Sequence, residues 1–172
     1  MKVILFMAMS LNGKIANHDF TEDFISERNW DELVRLSKKT GCLIWGRKTY
    51  DVVRSWEKKY FEPLKKVSKI VLTSQESFKT SEGFVALSSP HKILDFLKKK
   101  GYKRVILNGG SKDNTSFAKL GLIDEVVIDI DPVIVGEGIP LFFPEDLHID
   151  LKLVRTKSID KRIVQLVYKV VK

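Results

Sequence analysis

Apolar residues occur along this chain in two patterns that alternate. Residues 2–9 and 42–45 are almost continuously apolar, which is typical of short strands covered on both faces. Residues 26–39 instead place side chains on one face at positions i, i+3, i+4 and i+7, which predicts an amphipathic helix. The residues on that face are Trp30, Leu33, Val34 and Ser37. Alternating strands and helices favour an α/β fold.

Capping residues and breakers mark the limits of the helices. Ser26 and Ser89 can cap helix N-termini, Pro90 fits a first helical turn, and Gly41 fits a helix end. With the apolar pattern, they predict helices at about 26–39, 48–53, 89–100 and 113–120. Further strands are predicted at 69–73, 84–87 and 104–107, and a long loop is predicted at 10–24.

The last third of the chain has a different pattern. From Asp124 onwards β-branched residues are frequent and are interrupted by proline and glycine, which predicts several strands without helices between them. Residues 152–156 and 163–171 are predicted to be two antiparallel strands at the end of the sheet. We therefore predict a three-layer α/β fold, with a mixed, mostly parallel sheet, helices on both faces and antiparallel C-terminal strands.

The composition is typical of a folded protein inside the cell. The 172 residues fit a single domain, 1–172, with 44% hydrophobic and 30% charged residues. The apolar runs are shorter than the roughly 20 residues that span a bilayer, and no signal segment precedes the first strand. We expect a cytoplasmic location and no membrane partner. The single cysteine, Cys42, is expected in the core, and three scattered histidines predict no metal site.

A net charge of +8 is the feature that favours a nucleic-acid partner. However, the lysines occur as short pairs and one triple over several segments, so most are expected on solvated surfaces. A few of these charges can serve an anionic cofactor or substrate, because a cationic cleft concentrates such ligands. We therefore expect no nucleic-acid partner.

A glycine pair follows the predicted strand at 104–107. Asn108, Gly109, Gly110 and Ser111 stand between this strand and the next helix, where backbone N–H groups can approach a phosphate at the helix N-terminus. The pair differs from the GxGxxG of doubly wound dinucleotide folds. The alternative is a tight turn without a ligand.

A second turn of this kind contains Gly46, Arg47 and Thr49. The planar guanidinium of Arg47 suits the 2′-phosphate of NADPH better than the free hydroxyl of NADH. Thr73 and Ser74 end the next predicted strand and add hydroxyl donors at the same edge, where open α/β sheets bind ligands. We predict that these strand ends converge on one dinucleotide, although a solvated turn is an alternative for each alone.

Five segments together resemble the dihydrofolate-reductase-like superfamily over roughly residues 2–170. They are SLNGKIA at 10–16, GRKTY at 46–50, NGG at 108–110, GLIDE at 121–125 and PVIVGEG at 132–138. More narrowly, they are similar to the reductase domain of the bacterial bifunctional riboflavin deaminase-reductases. The resemblance implies the dihydrofolate-reductase-like fold, a homodimer, NADPH as cofactor and a small heterocyclic substrate.

The resemblance also implies which residues hold the cofactor and what is reduced. It places Ala8, Gly13 and Ile15 at the nicotinamide pocket and its covering loop. The implied contacts to the rest of the cofactor are Gly46, Arg47, Thr49, Thr73, Ser74, Asn108, Gly109, Gly110 and Ser111. In the riboflavin branch, hydride transfer would reduce C1′ of 5-amino-6-(5-phosphoribosylamino)uracil, or of its diaminopyrimidinone analogue.

Candidate substrate-binding residues come partly from residue chemistry and partly from the resemblance. Lys14 or Arg54 can supply a cation for a substrate phosphate. Trp30, Trp56 and Phe24 can form a wall for a flat heterocycle, with core packing as the alternative. The last resembling segment adds Val133, Gly136 and Gly138.

Candidate catalytic residues are Asn12, Asn29 and Asp31. Folate reductases carry a carboxylate early in the helix that precedes the GR turn, and this chain offers Asn29 or Trp30 there, with Asp31 close by. A neutral Asn29 lowers the case for folate reduction, which a shift to Asp31 would restore. Asn12 stands where riboflavin reductases often carry an aspartate.

Three other functions stay open. A dihydrofolate reductase or other pteridine reductase is the alternative in the same class, and a basic module that binds RNA or another polyanion is the alternative from another class. A cofactor-binding protein without turnover is the third. The companion zinc deaminase is excluded, because the chain lacks the His-x-Glu and Pro-Cys-x-x-Cys motifs.

Overall fold

The computed structural model describes residues 1–75 and 77–172. The strands are β1 Lys2–Ser10, β2 Lys14–Asn17, β3 Cys42–Gly46, β4 Ser68–Leu72, β5 Phe84–Leu87, β6 Arg104–Leu107, β7 Glu125–Asp131, β8 Gly138–Pro140, β9 Leu151–Ile159 and β10 Ile163–Val170. The helices are α1 Glu27–Thr40, α2 Arg47–Val53, α3 Lys58–Phe61, α4 Pro90–Lys99 and α5 Ser111–Lys119, with a 3-10 turn at Glu62–Leu64.

One mixed sheet organises these elements, with the strand order β5-β4-β3-β6-β1-β7-β10-β9. The strands from β5 to β7 run parallel. Strand β10 is antiparallel to both of its neighbours, β7 and β9. The prediction of a mostly parallel sheet with antiparallel C-terminal strands is confirmed.

Local sequence signals set the ends of the main helices, as predicted. The Ser26 side chain accepts a hydrogen bond from the N–H of Arg28 at the start of α1. Gly41 ends that helix with a φ of 79°, in the left-handed region that favours glycine. Ser89 caps α4 in the same manner, by accepting from the N–H of Lys92.

Helices cover both faces of the sheet and bury two apolar layers. On one face Ile93, Leu97 and Phe117 of α4 and α5 pack on the sheet, and on the other face Leu33 and Val53 of α1 and α2 do so. These layers confirm the three-layer arrangement. Burial of this apolar surface is the main favourable term in the stability of such a fold.

Cys42 lies in the core, as predicted, and is fully buried. Its Sγ lies 3.1 Å from the carbonyl oxygen of Arg104 on the neighbouring strand. Burial raises the pKa of the thiol to about 12, so the sulfur stays protonated at neutral pH.

Two parts of the chain differ from the sequence prediction. The stretch 10–24 was predicted as a loop, but it contains β2, which pairs with β8 in a small antiparallel sheet. These strands have four and three residues, too few for a clear period of two. Helix α3 was also not predicted, because its exposed lysines obscure the apolar residues at 56, 60 and 64. Within residues 1–75 and 77–172, no helix is long and apolar enough to span a membrane.

Candidate active site

The carboxyl ends of neighbouring parallel strands form the edge of the sheet at which the predicted site lies. Strands β4, β3 and β6 are consecutive in the sheet, and they end at Leu72, Gly46 and Leu107. The turns that follow them are therefore neighbours in space. Helices α2 and α5 begin at two of these turns, so their free N–H groups face the same edge.

A cavity of about 480 Å³ lies beside this edge. Of the residues predicted to hold cofactor or substrate, or to take part in catalysis, the following line the cavity: Ala8, Ile15, Asn29, Trp30, Thr49, Asn108, Gly109 and Gly110. A volume of this order suits a small ligand or the nicotinamide part of a dinucleotide. Trp56, predicted as part of an aromatic wall, also lines the cavity, and the remaining predicted residues lie outside the cavity wall.

The turns at Gly46 and Gly110 lie against each other, and one acidic side chain fills the space between them. A Cβ built on Gly46 would stand 1.8 Å from Oδ2 of Asp113, and one built on Gly110 would stand 3.8 Å from Oγ1 of Thr49. The two turns thus converge, as an anion site requires, but Asp113 already places a carboxyl group there. The sequence did not single out Asp113.

The other residues predicted for the cofactor surround these turns. Arg47 donates to Asp51 on the same helix at 2.7 Å. Thr73 is buried, and its Oγ1 accepts from the N–H of Gln75, whereas Ser74 is exposed. Ser111 opens α5 and is 6% exposed, and its Oγ has no partner among the described residues.

Asn108 lines the cavity and fixes its floor. Its Oδ1 accepts from Nε1 of Trp45 at 2.9 Å, and its Nδ2 donates to the carbonyl oxygen of Phe6 at 2.8 Å. Trp45 and Phe6 line the cavity as well. The Asn108 amide therefore joins strands β1, β3 and the β6 turn, which gives it a structural role in the site.

Three aromatic residues form one side of the cavity. The ring centroids of Trp30 and Trp56 lie 5.3 Å apart, and Tyr60 packs edge-on at 6.0 Å from Trp30 and 5.8 Å from Trp56. Trp30 and Trp56 were predicted from their chemistry, whereas Phe24 does not line the cavity. Tyr60 was missed because α3 was missed. Its spacing of four residues from Trp56 is the signal that would have found it.

Asn29 is 3% exposed, lines the cavity and is tied to an acid that the sequence analysis did not identify. Its Nδ2 donates to Oδ2 of Asp131 on β7 at 2.7 Å, and its Oδ1 has no partner among the described residues. Burial raises the pKa of Asp131, while the hydrogen bond from Asn29 acts in the opposite direction.

Asp31 lies away from this site, which corrects its selection as a catalytic candidate. It is exposed on α1, and Oδ2 lies 3.7 Å from Nη1 of Arg28. The helical period of 3.6 residues turns Asp31 to the solvent side when Asn29 faces the cavity. The acid next to Asn29 comes from β7 instead.

Asn12 also lies outside the cavity, and its amide is used for structure. Its Nδ2 donates to the carbonyl oxygen of Val135 at 2.6 Å, and its Oδ1 accepts from the N–H of Val135 at 3.1 Å. A further hydrogen bond comes from Ser10 at 2.8 Å. An aspartate could not donate to the carbonyl, so the amide is matched to this contact.

Five other predicted residues lie in the small sheet of β2 and β8 or in the loops next to it, outside the cavity wall. They are Gly13, Lys14, Val133, Gly136 and Gly138. A Cβ on Gly138 would stand 2.6 Å from the carbonyl oxygen of Ala16, so this glycine allows β8 to approach β2. The pairing of β2 with β8, and the hydrogen bond from the N–H of Leu11 to the carbonyl oxygen of Val133, hold the covering loop to the segment after β7.

Glu22 is a cavity residue that the sequence analysis left unnamed within the predicted loop. The residue is exposed by surface area, yet its carboxyl group lies deep enough beside the cavity that burial raises its pKa to about 7. A carboxyl group with this pKa can hold a proton at neutral pH.

Comparison with known proteins supports the fold and the family. A family model described as the RibD C-terminal domain matches residues 1–165. The chain is similar to the uncharacterized protein YyaP of Bacillus subtilis strain 168, with 27% identity over 97% of this chain and 94% of YyaP.

Solved structures are similar over the whole chain. The crystal structure of a Shewanella sp. PV-4 protein named "Putative riboflavin biosynthesis protein" has a TM-score of 0.82 and 25% identity, and the match covers 100% of both chains. Dihydrofolate reductase from Enterococcus faecalis, complexed with NADP(H) and RAB-propyl, has a TM-score of 0.70 and 20% identity, covering 98% of this chain and 96% of the enzyme. The latter likeness concerns the fold alone and confirms the predicted fold class.

Proposed function

Because the chain belongs to the family of the RibD C-terminal domain, we propose that it is an NADPH-dependent reductase of the riboflavin type. One observation carries this proposal: turns at Gly46 and Gly110, from adjacent parallel strands, converge beside an aromatic-walled cavity. The similarity to the Shewanella protein supports the pathway, since the name of that protein refers to riboflavin biosynthesis.

The residues at the strand ends fit a phosphorylated dinucleotide. Gly110 and Ser111 present the N-terminus of α5, and Arg47 and Thr49 that of α2, so backbone N–H groups can meet phosphates. The Arg47 guanidinium donates to Asp51 from one nitrogen and has further N–H groups that can bind a phosphate. Because Gly46 and Gly110 have no side chains, a phosphate can come close to both turns once the Asp113 carboxyl group moves aside. When bound, NADPH supplies the hydride for the reduction.

The chain itself supplies position and a proton. Trp30, Trp56 and Tyr60 offer aromatic faces against which a planar ring can pack, and they limit the access of water. Hydride transfer needs the donor and acceptor carbons at about 3–3.5 Å, so holding the ring is the main task. The Glu22 carboxyl group, with a pKa of about 7, can hold the proton that accompanies the reduction.

We propose 5-amino-6-(5-phosphoribosylamino)uracil, or its diaminopyrimidinone analogue, as the substrate. Folate reduction is less well supported, because a neutral amide stands at Asn29, and one of its two N–H groups donates to Asp131. An amide side chain can both donate to and accept from the lactam group of a pyrimidine substrate. A carboxylate can only accept, and it suits the two N–H groups of an aminopteridine. We further propose that the chain is a single-domain cytoplasmic protein that acts as a homodimer.

The test measures both cofactor choice and substrate choice. We expect NADPH to bind at least several-fold more tightly than NADH, and Arg47→Ala to remove most of that difference, as followed by nicotinamide fluorescence. Loss of absorbance at 340 nm should occur with the ribosylaminouracil and not with dihydrofolate. Equal affinity for both cofactors would contradict the first part, and turnover of dihydrofolate alone would contradict the second.

Gly110→Val provides a test of the turn itself. Gly110 has a φ of −69°, which other residues adopt easily, so the fold should persist. The branched side chain would fill the space between the turn and Thr49, and we expect NADPH binding to fall at least tenfold. Circular dichroism checks the fold, and unchanged affinity in a folded variant would remove Gly110 from the site.

A further inference from the structure

Asp113 places an acidic group where the proposed function places a phosphate. It is the third residue of α5, and its Oδ2 would stand 1.8 Å from a Cβ on Gly46 and 3.7 Å from a Cβ on Gly110. Its own Cβ would stand 2.8 Å from a Cβ on Gly109. The Asp113 side chain therefore fills the space that Gly46 and Gly109 leave open, and its carboxyl group lies in contact distance of the Gly110 turn.

Helix geometry explains why an acid is favoured at this position. Gly110 is the N-cap of α5 and has no side chain to satisfy the free N–H groups. An acid at the third helical position can reach back to the N-cap N–H and also meets the positive end of the helix dipole. Those N–H groups and that dipole are what a phosphate would use, so the carboxylate and a phosphate compete for them.

Among the described residues, no cationic side chain pairs with Asp113, so its charge is offset only by backbone N–H groups and the helix dipole. Burial raises its pKa to about 6, while the backbone N–H groups of Gly110 and of Asp113 itself act in the opposite direction. The charged side chains nearest in sequence on α2 and α5 have other partners: Arg47 contacts Asp51, Lys48 lies over the ring of Phe20, and Lys112 lies over the ring of Phe143. The group can thus take up a proton close to physiological pH.

We propose that Asp113 is an internal anion that occupies the pyrophosphate subsite of the free protein and sets its affinity for a dinucleotide. This inference rests on the proposed function. A phosphate reaches the N-terminus of α5 when the carboxyl group is neutral, because two anions cannot share the same donors, and the neutral group can then donate a hydrogen bond to a phosphate oxygen. Binding above about pH 6 is therefore coupled to the uptake of one proton.

The experiment compares affinity at two pH values in matched variants. NADP⁺ is the probe, since the oxidised form withstands acid, and calorimetry gives its Kd at about pH 5.5 and about pH 8. For the wild-type chain we expect Kd to rise about tenfold per pH unit above pH 6, because only the neutral fraction binds. Asp113→Asn should bind up to about 100-fold more tightly than wild type at pH 8 and similarly at pH 5.5.

Controls separate this effect from others. Asp95→Asn changes an acid on α4 whose carboxylate lies 3.8 Å from Lys98, and it should follow the wild-type curve. The ionisation of the ligand affects all variants equally and cancels in the comparison. Asp113→Glu keeps the charge and should keep the pH dependence of NADP⁺ binding. This second variant keeps the proposal testable if Asp113→Asn destabilises the N-terminus of α5.

Two results would overturn the inference, and they differ. If wild type and Asp113→Asn bind NADP⁺ with parallel pH curves, Asp113 does not compete with the ligand, although the proposed cofactor stands. If neither protein binds NADP⁺ at either pH while both are folded by circular dichroism, the proposed function fails and this inference fails with it.

Discussion

Buried acidic residues of β7 and α1 form a connected hydrogen-bonded group beneath the cavity. Asp129 and Asp131 lie two residues apart on β7 and share one face of the strand, under α1. Gln165 donates to Asp129 at 2.9 Å and to Glu32 of α1 at 3.0 Å, and Arg35 binds Glu32 through two hydrogen bonds. Oδ2 of Asp129 has no partner among the described residues.

Asp129→Asn should stabilise the protein at neutral pH. Burial raises the pKa of Asp129 to about 6, the hydrogen bond from Gln165 lowers it, and the charges of Glu32 and Asp131 raise it further. The folded state therefore binds this proton more tightly than the unfolded state, and stability is lost as pH rises from about 4 to about 6. The variant should gain on the order of 1–3 kcal/mol over wild type at about pH 7.5.

Urea unfolding at about pH 7.5 and about pH 4 measures that gain. Near pH 4 the two proteins should differ little. Asp129 of the folded wild type is then largely protonated and, like the asparagine of the variant, carries no charge. A variant that is equally destabilised at both pH values would show that the carboxylate is needed for its hydrogen bond and does not cost stability through its charge.

Glu22→Gln should remove a proton donor. If the protonated carboxyl group is active, turnover of wild type falls as pH rises through about 7, the pKa of Glu22. The amide cannot titrate, so the variant should lose on the order of 10²-fold in kcat and lose that pH dependence. Glu82→Gln, at an exposed position outside the cavity, serves as the control. An unchanged pH profile in Glu22→Gln would contradict the assignment.

At the scale of elements, β9 is an uncovered edge strand. Its residues from 151 to 158 are exposed, and within the described part of the chain it pairs with β10 alone. The register pairs Leu151 with Val170 and Leu153 with Tyr168, so both leucines share a face with Val164. Leu153 is 52% exposed and Val164 is 44% exposed. Although β9 also carries Lys152, Arg155 and Lys157, this exposed apolar patch is the part of the strand where we place the contact of the proposed homodimer.

Leu153→Lys should therefore weaken self-association. A charge at the centre of the apolar face opposes burial against a second copy, and sedimentation should shift towards the chain mass of 19.7 kDa. Val85→Lys is the matched control, since Val85 is 37% exposed on β5, which lies at the opposite edge of the sheet from β9. Equal masses for wild type and both variants would place any interface elsewhere.

The elements also show what the sequence could predict. The parallel strands and the capped helices were predictable, because burial on both faces and capping residues leave local patterns, as at Ser26 and Gly41. The pairing of β2 with β8 was not, because it joins two short segments over 120 residues apart. For the same reason Asp131, which supports Asn29 from 102 positions away, was missed.

At the scale of the whole molecule, the residues that give the net charge of +8 are distributed over several segments and do not form one cluster in the sequence. Several exposed lysines pair with acids on the same segment, as Lys65 does with Glu62 and Lys59 does with Glu57. Nucleic-acid binding through phosphates needs cations along one surface and weakens steeply with salt.

We expect no tight binding to RNA. A single-stranded RNA of about 20 nucleotides should bind more weakly than about 10 µM at physiological salt, because the positive charge is dispersed over several segments. Fluorescence anisotropy at two salt concentrations measures this. Submicromolar affinity at physiological salt, together with no nicotinamide binding, would favour the polyanion alternative.

The buried position of Cys42 makes the chain convenient for chemical labelling. Its thiol, with a pKa of about 12 and no exposed surface, offers maleimides almost no thiolate to attack. A fluorophore can thus be attached at one chosen site without first deleting a native cysteine, for example after Ser74→Cys at the exposed end of β4. Emission from that dye would report events at the neighbouring strand ends against a silent background.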